Sequence, residues 1–255
     1  MVQIDTKKLQ NKVKEMYKAV AENPQGKFHF EMGRALAEKL GYPKADLDRI
    51  PTASTESFAG VGYHFDMADI KPGETVLDLG SGSGMDTFIA GLKTGSDGKV
   101  VGLDMTDEQL SKAEELKNQA GFSNIIFKKG YIETLPEEKE IFDVVISNGV
   151  INLSAEKEKV FQEIARVLKK GGRLAISDIV TEKQLTEKIV CDIDIWASCI
   201  GGAAQEDTYK QYIQNAGLEI KKVRKNSQYS FLSKSAQGAT RDFGVKSISL
   251  LAKKE

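Results

Sequence analysis

Cysteine is nearly missing from this chain, which has two thiols, Cys191 and Cys199, among 255 residues. So few exclude a disulfide framework and suit a reducing compartment. Histidine is equally scarce. Both copies, His29 and His64, precede the glycine-rich segment that dominates the middle of the chain, and neither falls at the end of an expected sheet strand. Also lacking is any apolar run near the roughly 20 residues that span a bilayer, and the polar start MVQIDTKK is no secretion signal. The expected setting is therefore the cytoplasm, with no membrane partner. Nor is there an excess of charge of one sign: 36 Lys and Arg stand against 37 Asp and Glu, for a net charge of -1. Such a balance gives no field that favours nucleic acid. The strongest basic run, KKVRK from Lys221 to Lys225, reads as the solvated end of a strand. Repeats and low-complexity tracts are absent.

What is present suits one sizeable α/β domain with an appendage, at 40% hydrophobic and 29% charged residues. Residues 1–65 read as a helical cap and connector. Leu9, Val13, Met16, Tyr17 and Val20 recur at helical spacing, and a second amphipathic run from Phe30 to Leu40 stops at Gly41 and Pro43. From Pro51 to Phe65 small residues without a period predict an irregular connector, well placed to become a lid. Residues 66–255 form the second expected unit. From Glu74 apolar strands alternate with amphipathic helices, which predicts a doubly wound, mostly parallel sheet. Gly121 and the Gly171–Gly172 pair read as helix C-caps. The tail beyond Leu218 reads as two strands with no long helix between them, an antiparallel pair at a sheet edge.

The stretch ETVLDLGSGSGMD, Glu74 to Asp86, drives a buried strand into a glycine-rich turn and then a helix. Gly80, Gly82 and Gly84 let the backbone approach a ligand, Asp78 offers a carboxylate to a cationic group, and the helix N-terminus near Met85 offers N–H donors. Dinucleotides, methyl donors and ordinary tight turns all use this pattern. Asp104 closes the next strand about 20 residues on, where a carboxylate accepts from both hydroxyls of a ribose. Met105 beside it is placed either to pack on an adenine face or simply in the core. GYIETLP brings Gly130, Tyr131, Ile132 and Glu133 to the third strand end, and SNGVINLS brings Asn148 to the fourth. Ligands of open α/β sheets bind outside these carboxyl ends, so four strand ends converge on one crevice. A dehydrogenase would continue its alternation into a second half, whereas a terminal hairpin is what Rossmann-like methyltransferases show.

Together ETVLDLGSGSGMD, GKVVGLDMTDEQL, GYIETLP, SNGVINLS and DIDIWASCIGGA resemble the arsenite methyltransferase family, a branch of the class I S-adenosylmethionine-dependent methyltransferases. The likeness runs from about Ser57 to Ala203. It implies an α/β Rossmann-like fold with a seven-stranded, mostly parallel sheet whose last strand is antiparallel. It also implies S-adenosylmethionine as cofactor, held at Asp78, Gly80, Gly82, Asp104, Met105, Ile132 and Glu133, with Asn148 near the methionyl end. Ser81, Gly84, Asp86 and Tyr131 complete the expected donor site. Cys199 and Asn148 are the expected catalytic residues; Cys199, Trp196 and Val61 are expected to line the acceptor pocket of a small-molecule substrate, with no resident metal.

The departures from that family are as informative. Its members hold trivalent arsenic with several thiolates: one ahead of the first strand, one in a W-x-x-C segment and one nearer the C-terminus. Here Cys199 alone matches, Val61 stands at the first position, and nothing after Gly217 is cysteine. Gly149 replaces the cysteine of a frequent SNC. Were 190–199 helical, eight residues would set the sulfurs of Cys191 and Cys199 about 12 Å apart and roughly 80° around the axis, too far to share one arsenic. Either arsenic arrives already bonded to small thiols and needs one protein sulfur, or the acceptor is a thiol, a quinone or another small molecule. Cys199 itself is then an acceptor ligand or a buried structural thiol, and a module that binds the donor without catalysis is the remaining alternative.

Overall fold

The computed structural model describes residues 5–28, 30–190, 196, 200–232 and 234–255. The N-terminal region carries helices α1 (Thr6–Glu22), α2 (Gly33–Leu40), α3 (Lys44–Leu47), α4 (Thr52–Glu56) and α5 (Phe65–Ala68). Then β1 (Thr75–Leu79), α6 (Met85–Thr94), β2 (Lys99–Asp104), α7 (Asp107–Ala120), β3 (Ile125–Lys129) and β4 (Phe142–Asn148) alternate. They are followed by α8 (Lys157–Val167), β5 (Leu168–Thr181), α9 (Glu187–Val190), the two-residue β6 (Ala204–Gln205) and α10 (Glu206–Asn215). β7 (Leu218–Lys225), α11 (Lys234–Phe243) and β8 (Lys246–Lys254) end the fold.

The strands lie in the order β3-β2-β1-β4-β5-β8-β7, with β6 paired to β5 off this path. All of the pairings from β3 to β5 are parallel, and only β8 runs against its neighbours. This is the mostly parallel sheet with an antiparallel last strand. Period-two alternation divides it into two packed faces. Val76, Val100, Val144 and Ile146 face a cluster with Phe88 of α6, whereas Leu77, Leu79, Val101 and Val145 face Phe161 and Ile164 of α8 and Tyr209 of α10. Leu36, Leu40 and Tyr42 from the N-terminal region belong to the first cluster. α1 starts at Asp5, whose carboxylate accepts from the Lys8 N–H, and it lies on α7 through Gln109 Nε2 donating to the Tyr17 carbonyl.

Four local expectations need correcting. The tail strands are separated by the ten-residue α11, whose sequence KSAQGATRDF carries good helix formers either side of a central glycine; its Ala239 is buried in the cluster that holds Leu9, Val13 and Val245. β7 and β8 are not a free edge pair, because β8 inserts between β5 and β7 and leaves β7 as the edge. The small-residue connector is helical over α4 and irregular only beyond it. Finally, α8 ends at Val167, and Gly171 (φ 75°) lies inside β5, where the register against β4 shifts between Phe142 and Val144. Gly121 does cap α7 in the left-handed conformation. Among the described residues no helix is long and apolar enough to cross a membrane.

Candidate functional site

β1 ends in a turn that only glycine permits. Gly80 has φ 72°, and a Cβ there would lie 2.4 Å from a Val150 methyl carbon. Gly80 N and Ser81 N both donate to the Leu103 carbonyl (2.8 and 2.9 Å), and Gly82 N donates to Asp104 Oδ2 (2.9 Å). The loop is thereby bonded to the end of β2, whose Asp104 also accepts from Thr106 N through Oδ1 (2.8 Å). Gly80→Ala combines left-handed strain with the Val150 clash and is expected to lower the unfolding free energy by about 2 kcal/mol, read from the denaturant midpoint. A second change, Val150→Ala, should restore part of that loss, since it relieves the clash and leaves the strain.

The turn opens into a cleft at the carboxyl ends of β1 to β4. Of the sequence-predicted donor residues, Asp78, Gly80, Ser81, Gly82, Asp86, Asp104, Met105, Tyr131, Ile132, Glu133 and Asn148 all line it. Gly84 does not. It packs at the start of α6, where a Cβ would meet Phe127 and Phe88 at 2.8 and 2.9 Å.

Asp78 and Asp86, both buried, and the half-buried Asp104 meet in the cleft, and none of the described residues lining it is basic. Thr87 Oγ1 donates to Asp78 Oδ2 (2.6 Å), while Tyr42 Oη and Asn148 Nδ2 donate to Asp86 Oδ1 and Oδ2 (2.7 and 3.1 Å). Burial pushes the Asp78 carboxyl well above the usual range, with the nearby Asp86 charge adding to it. Burial likewise raises Asp86 to about 6 against its hydrogen bonds, and raises Asp104 against the N–H groups of Thr106 and Gly82. A cationic ligand group would restore the ionised forms. Its binding should therefore weaken as pH falls through about 6, by about tenfold per unit below that point, and titration between pH 5 and 8 checks this. A flat profile would contradict it.

Asn148 holds the connector to this cluster. Its Oδ1 accepts from Val61 N (2.8 Å) and its Nδ2 donates to the Gly62 carbonyl (3.0 Å) as well as to Tyr42 Oη (3.0 Å). On the far wall Glu133 accepts from Ser154 Oγ (2.5 Å), and Tyr131, partly exposed, accepts from Lys14 Nζ of α1 (2.6 Å). His64 is fully buried, and burial drives its pKa down to about 3, so it is neutral at ordinary pH.

The acceptor residues are placed differently from expectation. Val61 does not line the cleft; it is 1% exposed, and its methyl carbon would be 3.2 Å from a Cβ at Gly149. Trp196 lies one layer behind the wall, with Nε1 donating to the carbonyl of cleft-lining Leu153 (3.1 Å) and Lys157 Nζ 5.3 Å from its ring centre. Cys199 and Cys191 lie outside the described residues.

Sequence reasoning missed Tyr42, Gln109, Val150 and Ser154, and it missed the contribution of α1. Gln10, Val13 and Tyr17 of that helix line the cleft. Their apolar spacing announced a buried face, but nothing in it distinguished a core from a ligand cleft.

A methyltransferase-domain family model matches residues 70–217. The chain is similar to the arsenite methyltransferase of Halobacterium salinarum, 40% identical over 209 residues that cover 82% of this chain and 53% of that relative. It is also similar to the ubiquinone/menaquinone biosynthesis C-methyltransferase of Salmonella paratyphi B, 36% identical over 179 residues covering 62% and 71% of the two chains. Among solved structures, an arsenic(III) S-adenosylmethionine methyltransferase from Chlamydomonas reinhardtii superposes with a TM-score of 0.70 at 28% identity, over 83% of this chain and 73% of that one. The chain spans about half the length of the Halobacterium arsenite methyltransferase. With a family match over residues 70–217 laid on this sheet order and these four strand ends, the chain belongs to the methyltransferase-domain family.

Proposed function

We propose that this protein is an S-adenosylmethionine-dependent methyltransferase acting on a small soft acceptor, with trivalent arsenic the first candidate. The observation that carries the donor assignment is the cluster of Asp78, Asp86 and Asp104 in a cleft with no basic residue among the described ones lining it, beside a turn whose Cβ-free backbone leaves room for a ligand. S-adenosylmethionine supplies an electrophilic methyl group on a positively charged sulfur. Asp78 and Asp86 would balance positive charge, and Asp104 would accept from hydroxyls with the lone pairs that Gly82 and Thr106 leave open. Gly80 and Ser81 would hold the backbone close to the donor, while Met105, Ile132 and Tyr131 would enclose it, with Glu133 and Asn148 at opposite walls.

Transfer to a soft nucleophile needs alignment more than proton movement, which suits a cleft with no histidine among the described residues lining it. Cys199 is proposed as the acceptor-side thiolate, and Trp196 as support for the wall at Leu153. The cytoplasm, with its reduced thiol pool, is the proposed setting.

A second acceptor, a quinol carbon, is favoured by one observation: Val61, at the expected first thiol position, is an apolar side chain turned away from the cleft. Labelled S-adenosylmethionine with arsenite and excess glutathione should yield labelled methylated arsenic. Label appearing only when a quinol replaces arsenite would move the assignment to the second acceptor, and no binding of the donor in calorimetry would reject both.

A further inference from the structure

Tyr42 lies outside the matched residues 70–217 and does not line the cleft, yet its hydroxyl touches two groups that do. It donates to Asp86 Oδ1 at 2.7 Å and accepts from Asn148 Nδ2 at 3.0 Å. The ring is 3% exposed and fixed by edge contacts with Phe58, Tyr63 and Phe65, at centroid distances of 5.2, 4.9 and 6.1 Å. Asn148 in turn grips the connector through Val61 N and the Gly62 carbonyl. One hydroxyl therefore stands where the N-terminal region, the acid cluster and the connector meet.

We propose that Tyr42 is a positioning residue, whose hydroxyl fixes the Asp86 carboxylate for the cationic end of the methyl donor and, through Asn148, ties that carboxylate to the connector at 60–62. The proposal rests on the donor reading above. The charged and titratable groups facing this corner are Asp78 from β1, with Asp104 beyond it, and Tyr63 from the connector, which itself faces Asp46, Asp66 and Arg224. No cation touches Asp86 itself among the described residues, so hydrogen bonds are what hold its ionised form. Burial and the adjoining acid keep the Tyr42 phenol protonated and hence a donor. Without that hydroxyl Asn148 alone donates to Asp86, and its carboxyl keeps a proton to higher pH.

The test is calorimetric titration of wild type and Tyr42→Phe with S-adenosylmethionine between pH 5.5 and 8.5. The midpoint of the pH profile should move about one pH unit upward. That makes the variant about fivefold weaker at pH 6 and within about twofold of wild type at pH 8.5, where both carboxyls are ionised. An equal loss at every pH would mark Tyr42 as merely structural and overturn the proposal, as would no loss. If Tyr42→Phe does not fold, Tyr42→meta-fluorotyrosine keeps the ring and sharpens the donor. It should move the midpoint downward, and an unmoved midpoint would overturn the proposal. Failure of wild type to bind S-adenosylmethionine at any pH would instead refute the donor reading.

Discussion

Asp104→Ala is expected to raise the Kd for S-adenosylmethionine by a hundredfold or more, about 3 kcal/mol. Two losses combine. The carboxylate now accepts from Gly82 N and Thr106 N, so alanine leaves both N–H groups beside the cleft without that partner, and the glycine turn keeps only its Gly80 and Ser81 bonds to β2. The ligand's hydroxyls also lose a charged acceptor, each such bond contributing about 1.5–3 kcal/mol. Asp104→Asn separates the two: its carbonyl oxygen still takes one backbone N–H, while its amide presents a donor where an acceptor is needed. The asparagine variant should melt closer to wild type than alanine does and still bind the donor at least about tenfold more weakly. Calorimetry with a thermal melt on each variant reads both quantities, and affinity within about threefold of wild type for Asp104→Ala would remove Asp104 from the donor site.

Asp104 was legible because the signal was local: a buried apolar strand, a carboxylate at its end and a fixed distance from the glycine turn. The same holds for Val76 to Leu79, apolar but for Asp78, and for Val144 to Ile146, runs that a parallel sheet covers on both faces. What failed to show had non-local causes. Tyr42 reaches Asp86 across 44 residues, and Asn148 reaches Val61 across 87, so neither pairing leaves a pattern in the chain. The α11 helix carries good helix formers but is short and broken by a central glycine, and the cluster its Ala239 shares with Leu9, Val13 and Val245 spans the whole chain. Val61 is instructive in another way. The resemblance puts it at an acceptor position, yet it is buried outside the cleft, with a methyl carbon 3.2 Å from where a Cβ at Gly149 would lie.

With Val61 outside the cleft, the acceptor question rests on the single family-matching thiol. Cys199→Ser is expected to cut the rate of arsenic methylation at least about a hundredfold while the Kd for S-adenosylmethionine stays within about twofold. A thiolate is a soft ligand for a soft acceptor, whereas a serine hydroxyl is a hard, mostly protonated oxygen that neither captures nor orients it. With Val61 buried away from the cleft, small thiols from solution are the proposed source of the other sulfur ligands. Wild-type turnover should therefore climb with glutathione concentration until the arsenical is fully thiolated, and Cys199→Ser should flatten that climb. Cys191→Ser, at a position with no counterpart among the family thiols, should keep the wild-type rate. A thiol that only packs gives the opposite pattern: Cys199→Ser then lowers the melting temperature and leaves the rate unchanged. In that case the soft-acceptor reading falls, and a quinol, whose carbon nucleophile needs no protein sulfur, becomes the acceptor to assay.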